Sequence, residues 1–248
     1  MFEAGLVSVS FRQESPERIL REMATAGLKY IEWGSDVHAP HADLERLQEI
    51  VKLQEHYGIT CCSYGTYFCL CVTPLEELPK YISAAKILGT TVLRLWVGDK
   101  SPWLWTEEEK THLFEQCRQA AQMAEQAGVA LCMECHSNTF TETKEASLEL
   151  MKAVSSPAFL MYWQPYSTKT QDENIAYIRA LRDYTTHIHS FYWKGKDKYT
   201  LAGGIEEWQA YLRAFSGDHK VLLEFMPDDR IESLQHEGEI LKQIIAGV

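Results

Sequence analysis

Residues 107–136 read EEEKTHLFEQCRQAAQMAEQAGVALCMECH. The stretch 107–127 has the length of a long helix, Gly128 closes it, and the nearly unbroken apolar run over Ala130–His136 is a strand. A further β-rich run, Val92–Val97, precedes the helix, so the whole segment is one strand–helix–strand unit. Working outward, the same alternation continues to both ends of the chain. Strands are expected at Leu6–Phe11, Tyr30–Trp33, Ile59–Ser63, Val92–Val97, Ala130–His136, Phe159–Gln164, Thr185–Ser190 and Val221–Phe225. Helices are expected at about 15–26, 42–56, 75–88, 107–127, 142–154, 172–182, 204–214 and 230–245. Ser15 offers a capping hydroxyl before Pro16 at the first helical position, and Gly27, Gly58, Gly89 and Gly128 each follow a helix.

Alternating units of this kind imply parallel strands with right-handed crossovers. Eight of them in 248 residues predict a closed (β/α)8 TIM barrel, an α/β single domain over 1–248, with its chemistry at the C-terminal ends of the strands. Composition agrees: 46% apolar and 24% charged residues supply a large core and exclude wholesale disorder. No apolar run approaches the roughly 18 residues of a membrane span, so no membrane partner is expected. Thirty-five acidic against 24 basic residues, net −11, oppose phosphate-backbone binding, so no nucleic acid is expected either. The N-terminal MFEAGLVSVSFRQESPER has no basic segment before an apolar run. With seven cysteines, an odd number, it points to reduced thiols and a cytoplasmic location.

The expected strand ends carry Glu32-Trp33, Tyr64 to Tyr67, Arg94 with Trp96, Glu134 with His136, Trp163-Gln164, His187 with His189, and Glu224-Phe225. A carboxylate at the end of an apolar strand is costly to ionise without a cation or several donors. Glu134 and Glu224 both stand in that position, and with a strand-seven imidazole they suit a hard divalent ion, Mn, Mg, Co or Zn. The competing reading gives each glutamate its own hydrogen bonds in the core. Glu32 and Arg94 are expected to form a buried ion pair. Cys132 and Cys135 have CxxC spacing but face opposite sides of a strand, so they cannot chelate one ion.

The segments IEW, AKILG, MECH, HIHSF, GGIEEW and LLEF, in this order, make the chain resemble the xylose-isomerase-like barrel superfamily of sugar isomerases and epimerases. That resemblance implies one divalent metal held by Glu134, His189 and Glu224. The strand-six position is filled by Gln164 where the family usually has Asp, so a neutral carbonyl oxygen would replace a carboxylate. It also implies Glu134 and Glu224 as the acid/base pair of an isomerisation or epimerisation through an enediolate, on a small carbohydrate substrate. Relatives are often dimers or tetramers, so a homo-oligomer is compatible.

Substrate contacts are expected from His136, His38, Tyr64, Trp96, Trp163 and Lys194. The aromatic faces suit the C–H face of a sugar, with a packed rim as the alternative. His38 reads equally as a solvated loop histidine and Lys194 as part of an exposed basic loop. No glycine-rich phosphate loop is present. Two other functions share the scaffold: a dehydratase, and a metal-free, non-catalytic carbohydrate-binding barrel, which the Gln164 departure keeps open. A three-zinc endonuclease would need a richer His, Asp and Glu cluster.

Overall fold

A computed structural model describes residues 1–248. Eight parallel strands close into one ring: β1 (Phe2–Val7), β2 (Tyr30–Gly34), β3 (Thr60–Leu70), β4 (Val92–Val97), β5 (Ala130–Glu134), β6 (Phe159–Trp163), β7 (Thr185–Ser190) and β10 (His219–Leu223). Between the last two, β8 (Tyr192–Lys194) and β9 (Asp197–Tyr199) form an antiparallel hairpin over the mouth, an element absent from the expectations above. The helices are α1 (Pro16–Ala26), α2 (Leu44–Tyr57), α3 (Leu78–Leu88), α4 (Glu107–Ala127), α5 (Lys144–Val154), α6 (Gln171–Leu181), α7 (Ile205–Ala214) and α8 (Leu234–Ala246).

Local signals act as anticipated. Ser15 accepts from the Arg18 amide at the start of α1, and Gly27 leaves the helix at φ 68°, a left-handed turn that glycine adopts without penalty. The expected helices agree with the observed ones to within about four residues at each end. The strands depart further. The first lies nearer the N-terminus, with Ser8–Phe11 a 3-10 turn, and β3 runs seven residues past Ser63. No helix is long and apolar enough to cross a membrane.

Each ring strand presents alternate residues to two environments. Leu93, Leu95, Leu131, Met133, Met161, Ile188 and Val221 point outward into a cluster of 61 buried apolar residues shared with the helices. The inward apolar set is five residues, Val7, Val9, Cys132, Tyr162 and Leu222. The rest of the interior is polar, and Glu32, Arg94, Glu134, His189 and Glu224 are all at most 6% exposed.

Candidate active site

Glu32, Arg94, Glu134 and His189 come from β2, β4, β5 and β7, and Glu224 directly follows β10. Arg94 lies between two carboxylates. Its Nε donates to Glu32 Oε1 at 2.9 Å, and its Nη1 donates to Glu134 Oε2. The expected Glu32–Arg94 pair is therefore present, but it is one half of a bridge. Trp96 Nε1 donates to the same Glu134 Oε2 at 2.6 Å. Gly65 on β3 makes room for the pair, because a Cβ there would lie 2.6 Å from Glu32 Oε1 and 2.9 Å from Arg94 Nη2.

His189 stands among three carboxylates. Its Nε2 is 3.4 Å from Glu32 Oε1, and its Nδ1 is 3.4 Å from Glu134 Oε1 and 3.5 Å from Glu224 Oε2. Burial alone would favour neutral groups throughout, yet the opposing charges win. The Glu32 carboxyl is held far below the carboxylate range by Arg94 and His189. Against its own burial, Glu134 is pulled down to about 2 by Arg94 and His189. The His189 imidazolium, which burial disfavours, is held well above the ordinary histidine range by Glu224 and Glu32.

One ligand atom each from Glu134, His189 and Glu224 lie within 4.8 Å of one another, a spacing that could hold a metal ion. Both His189 nitrogens and Glu224 Oε2 are buried with no hydrogen-bond partner, an expensive arrangement unless something else occupies the space. Three carboxylates against one guanidinium leave two negative charges when His189 is neutral, the balance a divalent ion would restore. The donor set thus fits such an ion. Gln164 stands on the cavity wall; its Nε2 donates to the Cys135 carbonyl at 3.0 Å, so its own carbonyl oxygen is the donor left over.

Above these groups opens a cavity of about 390 Å³. Tyr67, Trp96 and His136 form one aromatic wall, with successive ring centroids 5.3 Å apart. Phe191, Trp193 and Phe225 form the other, at 5.2 and 5.0 Å. Phe225 adopts a left-handed φ of 61° immediately after Glu224, and its amide donates to Ser10 Oγ. Such a backbone is unfavourable for a bulky residue, so the turn that aims Glu224 inward carries local strain.

Of the expected substrate contacts, His136 and Trp96 line this cavity and four residues do not. His38 is 1% exposed, and both its ring nitrogens are within hydrogen-bond reach of Ser8 Oγ and the Glu14 carbonyl. Tyr64 is fully buried and donates to the Ala39 carbonyl. Trp163 shares the outward phase of Phe159 and Met161 and packs on Trp208, Tyr211 and Phe215. Lys194 is exposed on the hairpin, beside Tyr192 and Tyr199, and borders a separate side cavity. A bulge between Ile31 and Glu32 of β2 in its pairing with β3 advances the phase of β3, which is why Tyr64 faces outward and Tyr67 reaches the cavity. Sequence reasoning missed Arg12, Phe191 and Phe225 as cavity residues. Arg12 lies one residue past the expected end of the first strand, where the strand-end rule could have found it. His187 lies deeper, its Nε2 3.3 Å from the Cys62 carbonyl.

The sequence matches the profile of the family described as xylose isomerase-like TIM barrel over residues 20–243. No curated protein matches it. Among solved structures, a probable 3-DHS dehydratase of petrobactin synthesis from Bacillus anthracis superposes with a TM-score of 0.80 at 16% identity, covering 98% of this chain and 99% of that one. D-psicose 3-epimerase from Clostridium cellulolyticum H10 gives 0.70 at 14% identity, with 98% of each chain covered. A xylose isomerase-like protein from Mycobacterium smegmatis, crystallised with magnesium, gives 0.67 at 14%, covering 96% and 91%. At such identities the likeness is one of fold.

Proposed function

This chain belongs to the xylose isomerase-like TIM-barrel family, and on that premise we propose that it is a metal-dependent isomerase or epimerase of a small sugar or keto-polyol, with Glu134 and Glu224 exchanging the proton beside a carbonyl. The observation that carries this reading is the buried, unpartnered pair of His189 Nδ1 and Glu224 Oε2 facing Glu134 Oε1. Glu134, His189 and Glu224 would hold a divalent ion, with Gln164 as a fourth donor. When bound, that ion would supply Lewis acidity toward the carbonyl and neighbouring hydroxyl oxygens.

The remaining work falls to the chain itself. Glu32 Oε1, 3.4 Å from His189 Nε2, would orient the ring from behind and leave Nδ1 facing Glu134 and Glu224. Arg94 and Trp96 both hold Glu134 Oε2, which restricts Glu134 to its other oxygen. Glu224 carries no such clamp and keeps free lone pairs on Oε2, so it is the better placed to accept a proton from a substrate carbon. Glu134, from a different point on the rim, serves the other face: its unclamped Oε1 takes up a proton from solvent and passes it to the substrate carbon, while Glu224 releases to solvent the one it accepted. The two aromatic walls stack on the substrate's C–H faces and exclude water.

Elemental analysis of protein purified without chelator tests the first half of this reading. About one divalent ion per chain is expected in the wild type, and loss of the ion in Glu134→Gln. Incubation with six-carbon ketoses in D2O tests the second: deuterium should enter the substrate carbon with the wild type and not with Glu224→Gln. A protein without metal, and without thermal stabilisation by added Mn, Co, Mg or Zn, would sink the proposal in favour of a carbohydrate-binding barrel. Loss of water from the substrate in place of deuterium uptake would identify a dehydratase.

A further inference from the structure

Arg12 caps the 3-10 turn that follows β1 and lines the same cavity as Glu134 and Glu224. Its guanidinium is fixed from three directions. Nε donates to Asp36 Oδ2 at 2.7 Å, Nη1 to the Val9 carbonyl at 3.2 Å, and Nη2 to the Tyr67 hydroxyl at 2.5 Å. A guanidinium has five N–H groups, so Nη1 and Nη2 each keep one. Tyr67 is in turn edge-on to Trp96 at 5.3 Å, and Trp96 donates to Glu134. The position of the guanidinium is thereby tied, through two rigid rings, to the carboxylate at the reacting end.

This geometry has a cost that a simple rim contact would not explain. Holding an arginine immobile forfeits its rotamer freedom, and a cation beside the cavity mouth does nothing for neutral hydroxyls that a serine could not do. What it suits is an oxyanion, for which two N–H groups on one rigid plane are already oriented. Charge along the cavity has the same sense, with carboxylates at its floor and, at its rim, the Arg12–Asp36 ion pair, of which Arg12 alone lines the cavity. A ligand with an anionic tail would be turned by that field so that the tail faces the rim and its uncharged end the floor.

We propose that Arg12 binds an anionic end group of the substrate, a carboxylate or a phosphate, so that sugar acids or sugar phosphates are bound in preference to neutral sugars. The proposal deepens the proton-transfer reading above and rests on it for the orientation of the ligand. Arg12 is a specificity residue with no part in proton transfer. Asp36 and Tyr67 are positioning residues that act through it.

Three six-carbon probes separate the possibilities: sorbitol, gluconate and sorbitol 6-phosphate, each titrated calorimetrically into magnesium-supplemented wild type, Arg12→Gln and Arg12→Lys. At least one of the two anions is expected to bind wild type roughly tenfold more tightly than sorbitol, the scale of one charge-assisted contact. That preference should fall to within about twofold in Arg12→Gln and be partly restored in Arg12→Lys, which keeps the charge and loses the fork. The anion that shows it identifies the end group. Equal binding of all three probes, no binding of any, or a preference that survives Arg12→Gln would overturn the proposal. A purely structural role for Arg12 would lower the melting temperature without moving the ratio between probes. Manganese titration of the same samples reads the floor separately: loss of metal binding with an Arg12-dependent anion preference would refute the proton-transfer reading alone.

Discussion

On β4, Leu93, Leu95 and Val97 face the helices, while Arg94 and Trp96 face the barrel axis; on β5, Leu131 and Met133 face out, while Cys132 and Glu134 face in. Two regions one side chain apart are therefore built on different physics. The outer annulus is held by apolar burial, in which many small contacts add and any one substitution is partly absorbed. Within the ring, a few charges compensate one another at close range, and the removal of one leaves others buried without a partner. Stability that is distributed tolerates change. Stability that depends on charge balance does not, and the same imbalance is what the proposed metal site would draw on.

The largest effect expected from breaking this contrast is at Arg94. Arg94→Met strands Glu32 and Glu134 and should cost about 3–5 kcal/mol in urea unfolding. It should also change the acid limb of the stability curve. A carboxyl depressed in the folded state, as Glu32 is, contributes stability above its unfolded value of about 4.3 and loses it as pH falls toward the folded one. Chelator-treated wild type should therefore lose stability below about pH 4 more steeply than Arg94→Met does. A variant no weaker than an annulus truncation would refute the proposed division of labour.

Next comes that annulus truncation. Leu20 on α1 is fully buried, and Leu20→Ala should cost about 3 kcal/mol with no change in the acid limb. Gly65→Ala should be milder, about 1–3 kcal/mol, since its Cβ must displace the Glu32–Arg94 pair. A double-mutant cycle sharpens the point: Gly65→Ala should couple to Arg94→Met and add independently to Leu20→Ala. The smallest effect concerns reactivity. All seven cysteines are free, and burial pushes Cys61, Cys132 and Cys135 to about 12. At pH 8 roughly one in ten thousand of these thiols is ionised, so thiol reagents should label them only on unfolding, whether they face the annulus or the interior. Rapid labelling of Cys132 in the native state would mean that the interior opens to solvent.

Helix limits were legible because caps and glycines act locally: Ser15, Gly27 and Gly58 punctuate the chain wherever it folds. Glu134 and Glu224 were legible for a related reason, since a charged residue ending an apolar strand is conspicuous without a partner, whereas His189 was singled out from His187 only by the family resemblance. The aromatic rim was harder to read. Trp163 has the outward phase of Phe159 and Met161, a regularity present in the sequence once the phase of the strand is known. Tyr64 could not be placed from the sequence, because the irregular pairing of β2 with β3 sets its phase.

By itself the sequence determined the alternation of strands and helices, the barrel that follows from it, and the residue types available for chemistry, because those depend on neighbours within a few positions. Only the tertiary structure decided which charges meet. Arg94 reaches one carboxylate on the adjacent β5 and another on β2 across β3, Glu224 is left unclamped, and Arg12 is carried to the cavity of Glu134. Those pairings join residues far apart in the chain, and their strength depends on distance and burial, quantities that exist only after the ring has closed.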